Sequence, residues 1–396
     1  MKKLLISLAF LPFALAIIFA AKTYWAKLWP DQTQHIVSDI NSPNRTNTSE
    51  RTIQLALLLD VSGSMDGLIE QAKAKLWNIV NQLSDARYED EYPNLHISLY
   101  IYGGDHLSYE SGYVKQLTPF TSDLDLISEE LFALTTNGGE EYCGQVIKAS
   151  LDELEWSSSP KDLKLVFIAG NEPFSQGPVP FREVCKRAAE RDIYVNTIFC
   201  GDYMEGVNTE WQTGAQLAGG QYLNIDHNEE ISFIETPYDE ELSELGEEIN
   251  GTYIYYGVSG LVSSSRQTMQ DSNARGYGNA NRATRGISKS KKGYVNSDWD
   301  LVDAKKEKSF KLEEVEKETL PEEYRSLSTE ELEVKIEEKN TEREKIKSSI
   351  RDLELKRKAY IAEKRKENAE NNTNSLDQAL IKVIRDQATA KNYKFE

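Results

Sequence analysis

Cysteine is scarce. The 396-residue chain has three, Cys143, Cys185 and Cys200. An odd, small number excludes a disulfide framework and leaves room for one bridge in an oxidising compartment. Histidine is nearly as rare. His35, His96, His106 and His227 are scattered, so neither a zinc-ligand cluster nor a Ser-His-Asp order can be drawn from them. No Gly-rich phosphate loop is present. These absences argue against an enzyme. Positive charge is in deficit too: Lys plus Arg number 46 against 65 Asp plus Glu, a formal net charge of −19. Such a balance repels nucleic acid and anionic lipid; it suits cations or basic partners, or serves solubility alone. Apolar residues make up 39% of the chain and charged ones 28%. That mixture fits one packed domain plus long polar segments, in a length that allows two or three domains.

What is present begins with a targeting signal. Lys2 and Lys3 precede an apolar run from Leu4 to Ala21, interrupted by Ser7 and Pro12. A charged start followed by an apolar stretch is the secretory pattern. Residues 1–21 read either as a cleaved signal peptide or as a retained membrane anchor, with residues 4–21 as the tether. Ala14-Leu15-Ala16 and Ile18-Phe19-Ala20 offer cleavage sequences, whereas Tyr24, Trp25 and Trp29 suit an interfacial belt. Either way the protein is expected to be exported, to a periplasm or a cell surface. Residues 22–50 form a polar linker.

Residues 51–236 alternate strand-like and helix-like runs. Ile53–Leu59 and Leu163–Ala169 are nearly continuous apolar stretches, as expected for strands buried on both faces. Leu95–Tyr102 and Ile193–Phe199 are further strands, and Tyr113–Leu117 is a short edge strand. A helix is expected from Gly67, with Leu68, Ile69, Ala72, Leu76, Ile79, Val80 and Leu83 forming a wide stripe. Helices are also expected at Leu124–Leu134, Cys143–Leu154, Phe181–Arg191 and Trp211–Ala218. This alternation predicts an α/β fold, a doubly wound, mostly parallel sheet followed by long C-terminal helices. Ligands of such sheets bind at the carboxyl ends of strands.

Asp60-Val61-Ser62-Gly63-Ser64 stands where the first buried strand ends and the first helix begins. Asp60, Ser62 and Ser64 can turn toward one point above the sheet. A carboxylate and two hydroxyls are hard oxygen ligands, suited to Mg2+, Ca2+ or Mn2+; the bland alternative is a helix cap. Gly63 is expected to permit the turn.

From Ile53 to Asp226 the sequence resembles the von Willebrand factor A family, whose metal-ion-dependent adhesion site uses this Asp-x-Ser-x-Ser loop. The resemblance implies a second loop, Thr135-Thr136-Asn137-Gly138-Gly139-Glu140-Glu141. Glu140 stands there in place of the usual Thr, so Glu140 and Glu141 join the candidate metal ligands. It implies a third loop, Phe167-Ile168-Ala169-Gly170-Asn171-Glu172-Pro173, with Gly170 in place of the usual Asp. In the family a partner's carboxylate completes the metal's coordination. An extra Glu beside the ion would weaken that capture. Asn137-Gly138-Gly139-Glu140-Glu141-Tyr142-Cys143-Gly144 and Gly170-Asn171-Glu172-Pro173-Phe174 are similar to exported bacterial proteins with one A-type domain and a charged C-terminal helix. Cys143 and Cys200 both belong to the carboxyl-end face and are candidates for a bridge, or are two small apolar residues.

Residues 237–325 open with an acidic helix and continue into a Gly-, Asn-, Ser- and Arg-rich stretch, expected to be of low order. Its basic residues, among them Arg266, Arg275, Arg282, Arg285, Lys289 and Lys291, lie in a solvated loop or dock on the chain's own acidic surface. Residues 326–396 are a charged helical region. A heptad can be drawn with Ile336, Arg343, Ile350 and Arg357 in one position, and Leu332, Lys339, Ile346, Leu353 and Tyr360 in the other. The basic residues make it a poor self-sufficient coiled coil. The function that follows is a non-enzymatic, metal-dependent protein-binding module whose partner reaches the metal through an acidic side chain. The alternative is an architectural or chaperone-like subunit of an envelope complex.

Overall fold

The computed structural model describes residues 51–225, 233–367 and 376–395. The N-terminal apolar segment, the polar linker and the Asn371-Asn372-Thr373-Asn374 break lie outside the described residues. The strands are β1 (Thr52–Asp60), β2 (Ala86–Arg87), β3 (Asn94–Tyr102), β4 (Val114–Thr121), β5 (Leu163–Gly170), β6 (Tyr194–Cys200), β7 (Tyr222–Ile225) and β8 (Lys394–Phe395). Six of them form one sheet in the order β4-β3-β1-β5-β6-β7. Every neighbouring pair in it is parallel except β3 and the edge strand β4.

The continuous apolar runs are explained by burial on both faces. Ile53, Leu55 and Leu59 belong to the core under α1 (Asp66–Ser84) and α2 (Leu124–Phe132). Ala56 and Leu58 belong to the opposite core, under α3 (Cys143–Glu153), α4 (Phe181–Glu190) and, beyond the short α5 (Tyr203–Asn208), α6 (Trp211–Leu217). The chain reverses its winding direction on either side of β1. A crevice therefore opens at the carboxyl end of β1, where Asp60 stands.

The stretch expected to be of low order is helical. After α7 (Asp239–Glu248) come α8 (Gly260–Gly276) and α9 (Asn279–Ser290). Their Gly, Asn and Ser content gives weak intrinsic helix propensity, so the helices depend on packing and ion pairing. Gly246 of α7 and Gly286 of α9 meet backbone to backbone: a Cβ on Gly246 would lie 2.7 Å from the Gly286 Cα. The basic residues dock on the chain's own acids. Arg285, 1% exposed, lies between Asp125 (2.7 Å) and Asp271 (2.9 Å) and over the Trp77 ring. Lys289 pairs with Asp271, Arg266 with Asp123, and Lys291 with Asp85 and Glu354.

Beyond the short α10 (Leu301–Ala304) and α11 (Glu322–Arg325), α12 (Thr329–Glu367) runs for 39 residues. Ile346, Ile350 and Leu353 pack with Leu242, Ile249, Ala283 and Ile287. Leu332 and Ile336 pack with Ile254, Leu301 and Leu320. The drawn heptad seam therefore faces this chain's own body rather than a second helix. Its basic member Arg343 is fully buried, bonded to Asp300 at 2.7 Å and Asp303 at 3.1 Å. Finally α13 (Leu376–Ala390) returns to the first sheet. Leu380, Val383, Ile384 and Ala388 enter the core under β1, and β8 pairs antiparallel with β2. Among the described residues no helix is long and apolar enough to cross a membrane.

Candidate metal centre

The loop after β1 is held from both sides. The Val61 amide donates to the Tyr102 carbonyl at 2.9 Å, and the Asn137 amide donates to the Val61 carbonyl at 3.0 Å. Asp60 is wholly buried. Its Oδ1 accepts the Ser62 amide at 2.7 Å, while its Oδ2, equally enclosed, has no hydrogen-bond partner. The Ser62 and Ser64 hydroxyls stand 3.2 Å apart, and the Asn171 amide donates to Ser64 Oγ at 3.1 Å. Asp60 is thus linked to Ser62, and Ser62 to the exposed Ser64. Gly63 adopts no positive φ, and a Cβ there would find only ordinary contacts, so the turn does not require glycine at that position.

Glycine is required elsewhere. Gly103, at φ +83°, is the floor on which two carboxylates meet: a Cβ there would lie 2.7 Å from Asp60 Oδ1 and 2.8 Å from Glu141 Cγ. Glu141, 8% exposed, is the acid of the second loop that faces Asp60. Glu140 is turned outward and accepts from Gln176 Nε2 at 3.2 Å. Glu140 is exposed and Glu141 buried, so of the two only Glu141 faces the crevice. Glu140, expected as a ligand, is therefore outside the cluster. Thr136 instead ties the second loop to Asp66, at the start of α1.

The third loop shows why position 170 carries no side chain. A Cβ on Gly170 would lie 2.5 Å from the Tyr102 hydroxyl and 3.0 Å from Asp60 Oδ2. The Tyr102 hydroxyl fills that space and donates to the Ala169 carbonyl at 2.9 Å. Neither Tyr102 nor Gly103 is marked as a site residue by any local motif. Glu172 is exposed, and its carboxylate adds negative potential to both Asp60 and Glu141.

The electrostatics follow from burial. Loss of solvation pushes the Asp60 carboxyl up to about 7, against the Ser62 hydrogen bonds that lower it. Burial, then the charges of Asp60 and Glu172, push Glu141 up to about 8. Two adjacent buried carboxylates need either protons or a cation. The donor set, two carboxylates and two hydroxyls with one carboxylate oxygen lacking any partner, fits a hard divalent ion. Among the described residues no three His, Cys, Asp or Glu side chains converge to hold a metal by themselves, so the serines are indispensable to such a site.

Of the two alternatives for Cys143 and Cys200, a bridge or two small apolar residues, the structure has the second. Cys143, Cys185 and Cys200 are free, buried thiols. Cys143 belongs to the core under α3 and α4, and Cys200 to the core on the other side of the sheet, so the sheet itself separates them. Burial pushes the Cys185 thiol up to about 12 and raises the other two further; all three are chemically quiet. His106 lies exposed, with Nδ1 3.1 Å from Asn137 Oδ1.

No family model matches the chain, and no curated protein matches it. Solved structures do. The conserved hypothetical protein BatB from Bacteroides thetaiotaomicron is 16% identical, over 44% of this chain and 90% of that one, with a TM-score of 0.34. A von Willebrand factor type A structure from Catenulispora acidiphila is 15% identical, over 44% and 39%, with a TM-score of 0.31. Proximal thread matrix protein 1 from the mussel byssus, solved with a zinc-occupied adhesion-site motif, is 12% identical, over 44% and 41%, with a TM-score of 0.32. This chain is similar to those proteins in fold; what any of them binds is a property of that protein.

Proposed function

We propose that residues 51–225 form a von Willebrand factor A-type, metal-dependent protein-binding module without enzymatic activity. The metal is Mg2+, or Ca2+ or Mn2+. Asp60, Ser62, Ser64 and Glu141 would hold it, with Tyr102 and Gly103 shaping the floor. A bound ion would supply an electrostatic anchor and lock the three loops together. The observation that carries this reading is the fully enclosed Asp60 Oδ2 without a partner, beside a second buried carboxylate. A buried polar atom left unpaired costs stability unless something fills the gap. The charged start and apolar run of residues 2–21 favour an exported setting, a periplasm or a cell surface, with residues 4–21 cleaved or kept as a tether.

Calorimetric titration of the full chain with Mg2+ and Mn2+ tests the site. One equivalent should bind, and Asp60→Ala should abolish binding. Absence of binding, or binding unchanged in Asp60→Ala, refutes it.

A second reading is an architectural or chaperone-like subunit of an envelope complex. One observation favours it: α12 presents a charged outer face with Val334 and Leu355 57% and 67% exposed. In that case deleting those two side chains, and not chelation, would dissolve the assembly.

A further inference from the structure

Helix α8 has its polarity inverted. Its inward face is polar. The buried Gln267 donates to the Tyr294 hydroxyl at 3.0 Å, the buried Gln270 accepts from the Ser128 hydroxyl at 2.8 Å, and Arg266 pairs with Asp123 and Glu129. Its outward face is apolar. Val258, in the turn before the helix, is 95% exposed, and Leu261, Val262 and Met269 are exposed along it. The hydroxyls on that face turn back onto the helix. Ser265 donates to the Leu261 carbonyl at 2.8 Å, Thr268 to that of Ser264 at 3.2 Å, and Ser272 to that of Thr268 at 3.4 Å. A hydroxyl satisfied in this way needs no water and presents hydrocarbon outward. From Ile249 to Gln270 the chain carries one charged side chain, Arg266, where a 28% charged composition predicts about six. An outward face without charge, on a chain this polar, is a contact surface.

The place of that face in the fold points to what covers it. Helix α8 runs alongside α2 in the same direction: Arg266 meets Asp123 at the start of α2, and the Tyr277 ring, just past α8, lies 6.0 Å from the Phe132 ring at the end of α2. The start of α2 is at the amino end of the sheet, because β4 descends from Val114, opposite Tyr102, to Thr121, opposite Ile97. Val258 and Leu261 therefore stand at the end of the sheet where Arg51 leads into β1, the end opposite Asp60. Arg51 is also where residues 22–50 arrive from the apolar run Leu4–Ala21. A linker of that length has an end-to-end distance of roughly 30 Å, about the breadth of a small domain. With the run kept in a bilayer, this end of the fold is held against lipid at high effective concentration, and a few apolar side chains suffice for docking. The net charge of −19 opposes anionic lipid, so the fitting surface is zwitterionic.

We propose that α8 is a membrane-docking helix. Val258, Leu261 and Val262 enter the acyl boundary of a zwitterionic lipid surface, Met269 lies shallower, and the crevice at Asp60 points away from the lipid. The inference rests on the retained-tether alternative for residues 4–21 and is independent of the metal.

The test places a nitrobenzoxadiazole probe on single added cysteines: V258C, V262C and, at the carboxyl end of the sheet, Y109C at the exposed Tyr109. The native thiols are buried, so the added one takes the label. The full chain is reconstituted in phosphatidylcholine vesicles in a chelator, recovered by flotation, and compared with and without nitroxide-bearing lipid. The probes at 258 and 262 should lose about half their emission, as expected of side chains roughly 5–10 Å into the acyl boundary, and the probe at 109 should keep its emission. L261S/V262S should abolish the loss at 258 and leave the unfolding midpoint unchanged, since both side chains are exposed. Unquenched probes at 258 and 262, equal quenching at 109, or quenching at 258 that persists in L261S/V262S overturns the inference. So does a probe at 262 that is shielded without lipid in proportion to protein concentration, which assigns the face to a second copy. The two readings fail separately. A chain that floats with unquenched probes keeps the tether and defeats the docking, and a chain that does not float defeats both.

Discussion

At the scale of single residues, the site is a pair of carboxylates kept out of water. That has a consequence in pH. Asp60 and Glu141 are pushed up to about 7 and about 8 in the fold, whereas unfolded carboxyls titrate near about 4. Between those values the folded chain binds more protons than the unfolded one, so stability falls as pH rises. In a chelator, urea unfolding should show stability falling by several kcal/mol from about pH 4 to about pH 8. Mg2+ should shrink that loss, because the ion replaces the protons. A flat profile in chelator would contradict the burial argument. Position 170 offers a second probe. Gly170→Asp should cost about 1–3 kcal/mol, because its Cβ runs into the Tyr102 hydroxyl. Adding Tyr102→Phe should recover part of that cost, as a double-mutant cycle would measure. The first loop was legible from sequence because its three ligands are local to one turn. The exchange between Tyr102 and Gly170, and the choice of Glu141 over Glu140, were not. Both depend on which side of the crevice a residue faces, and that is set by strands and helices distant in sequence.

Elements read differently according to what stabilises them. Strands and helices of the sheet were legible because their apolar patterns are strong; β5 and α4 begin within a residue of expectation. Helices α8 and α9 were hidden by their composition. What holds them is long-range: the Gly246–Gly286 crossing and the Arg285 pairs to Asp125 and Asp271. Arg343 makes the same point in α12. In a heptad it reads as a defect; in the fold it is bonded to Asp300, Asp303 and Thr252. Arg343→Met should therefore destabilise by roughly 3–5 kcal/mol, since it strands two buried carboxylates. Chemical denaturation measures this. A loss as small as that of an exposed α12 substitution would mean the pair is not buried in solution.

The whole molecule does not divide where its composition does. The charged C-terminal region looks like an appendage, yet α13 supplies the first sheet with core residues. Ile384→Ala should cost about 2–5 kcal/mol. It should lower the unfolding midpoint seen by Trp77 and Trp211 fluorescence together with that seen by circular dichroism. An unchanged fluorescence midpoint would show that α13 melts independently.

That closure sets a schedule for the chain as it is made. The strands of the sheet are complete at Ile225, but α13, which completes the cover on one face of β1, begins at Leu376, only after residues 226–375 have been added. At about 5–20 residues per second, that wait lasts roughly 8–30 s. For that interval the apolar face carrying Leu55 and Leu59 lacks part of its cover, and a nascent chain in that state is a natural client for any factor that shelters unfinished proteins.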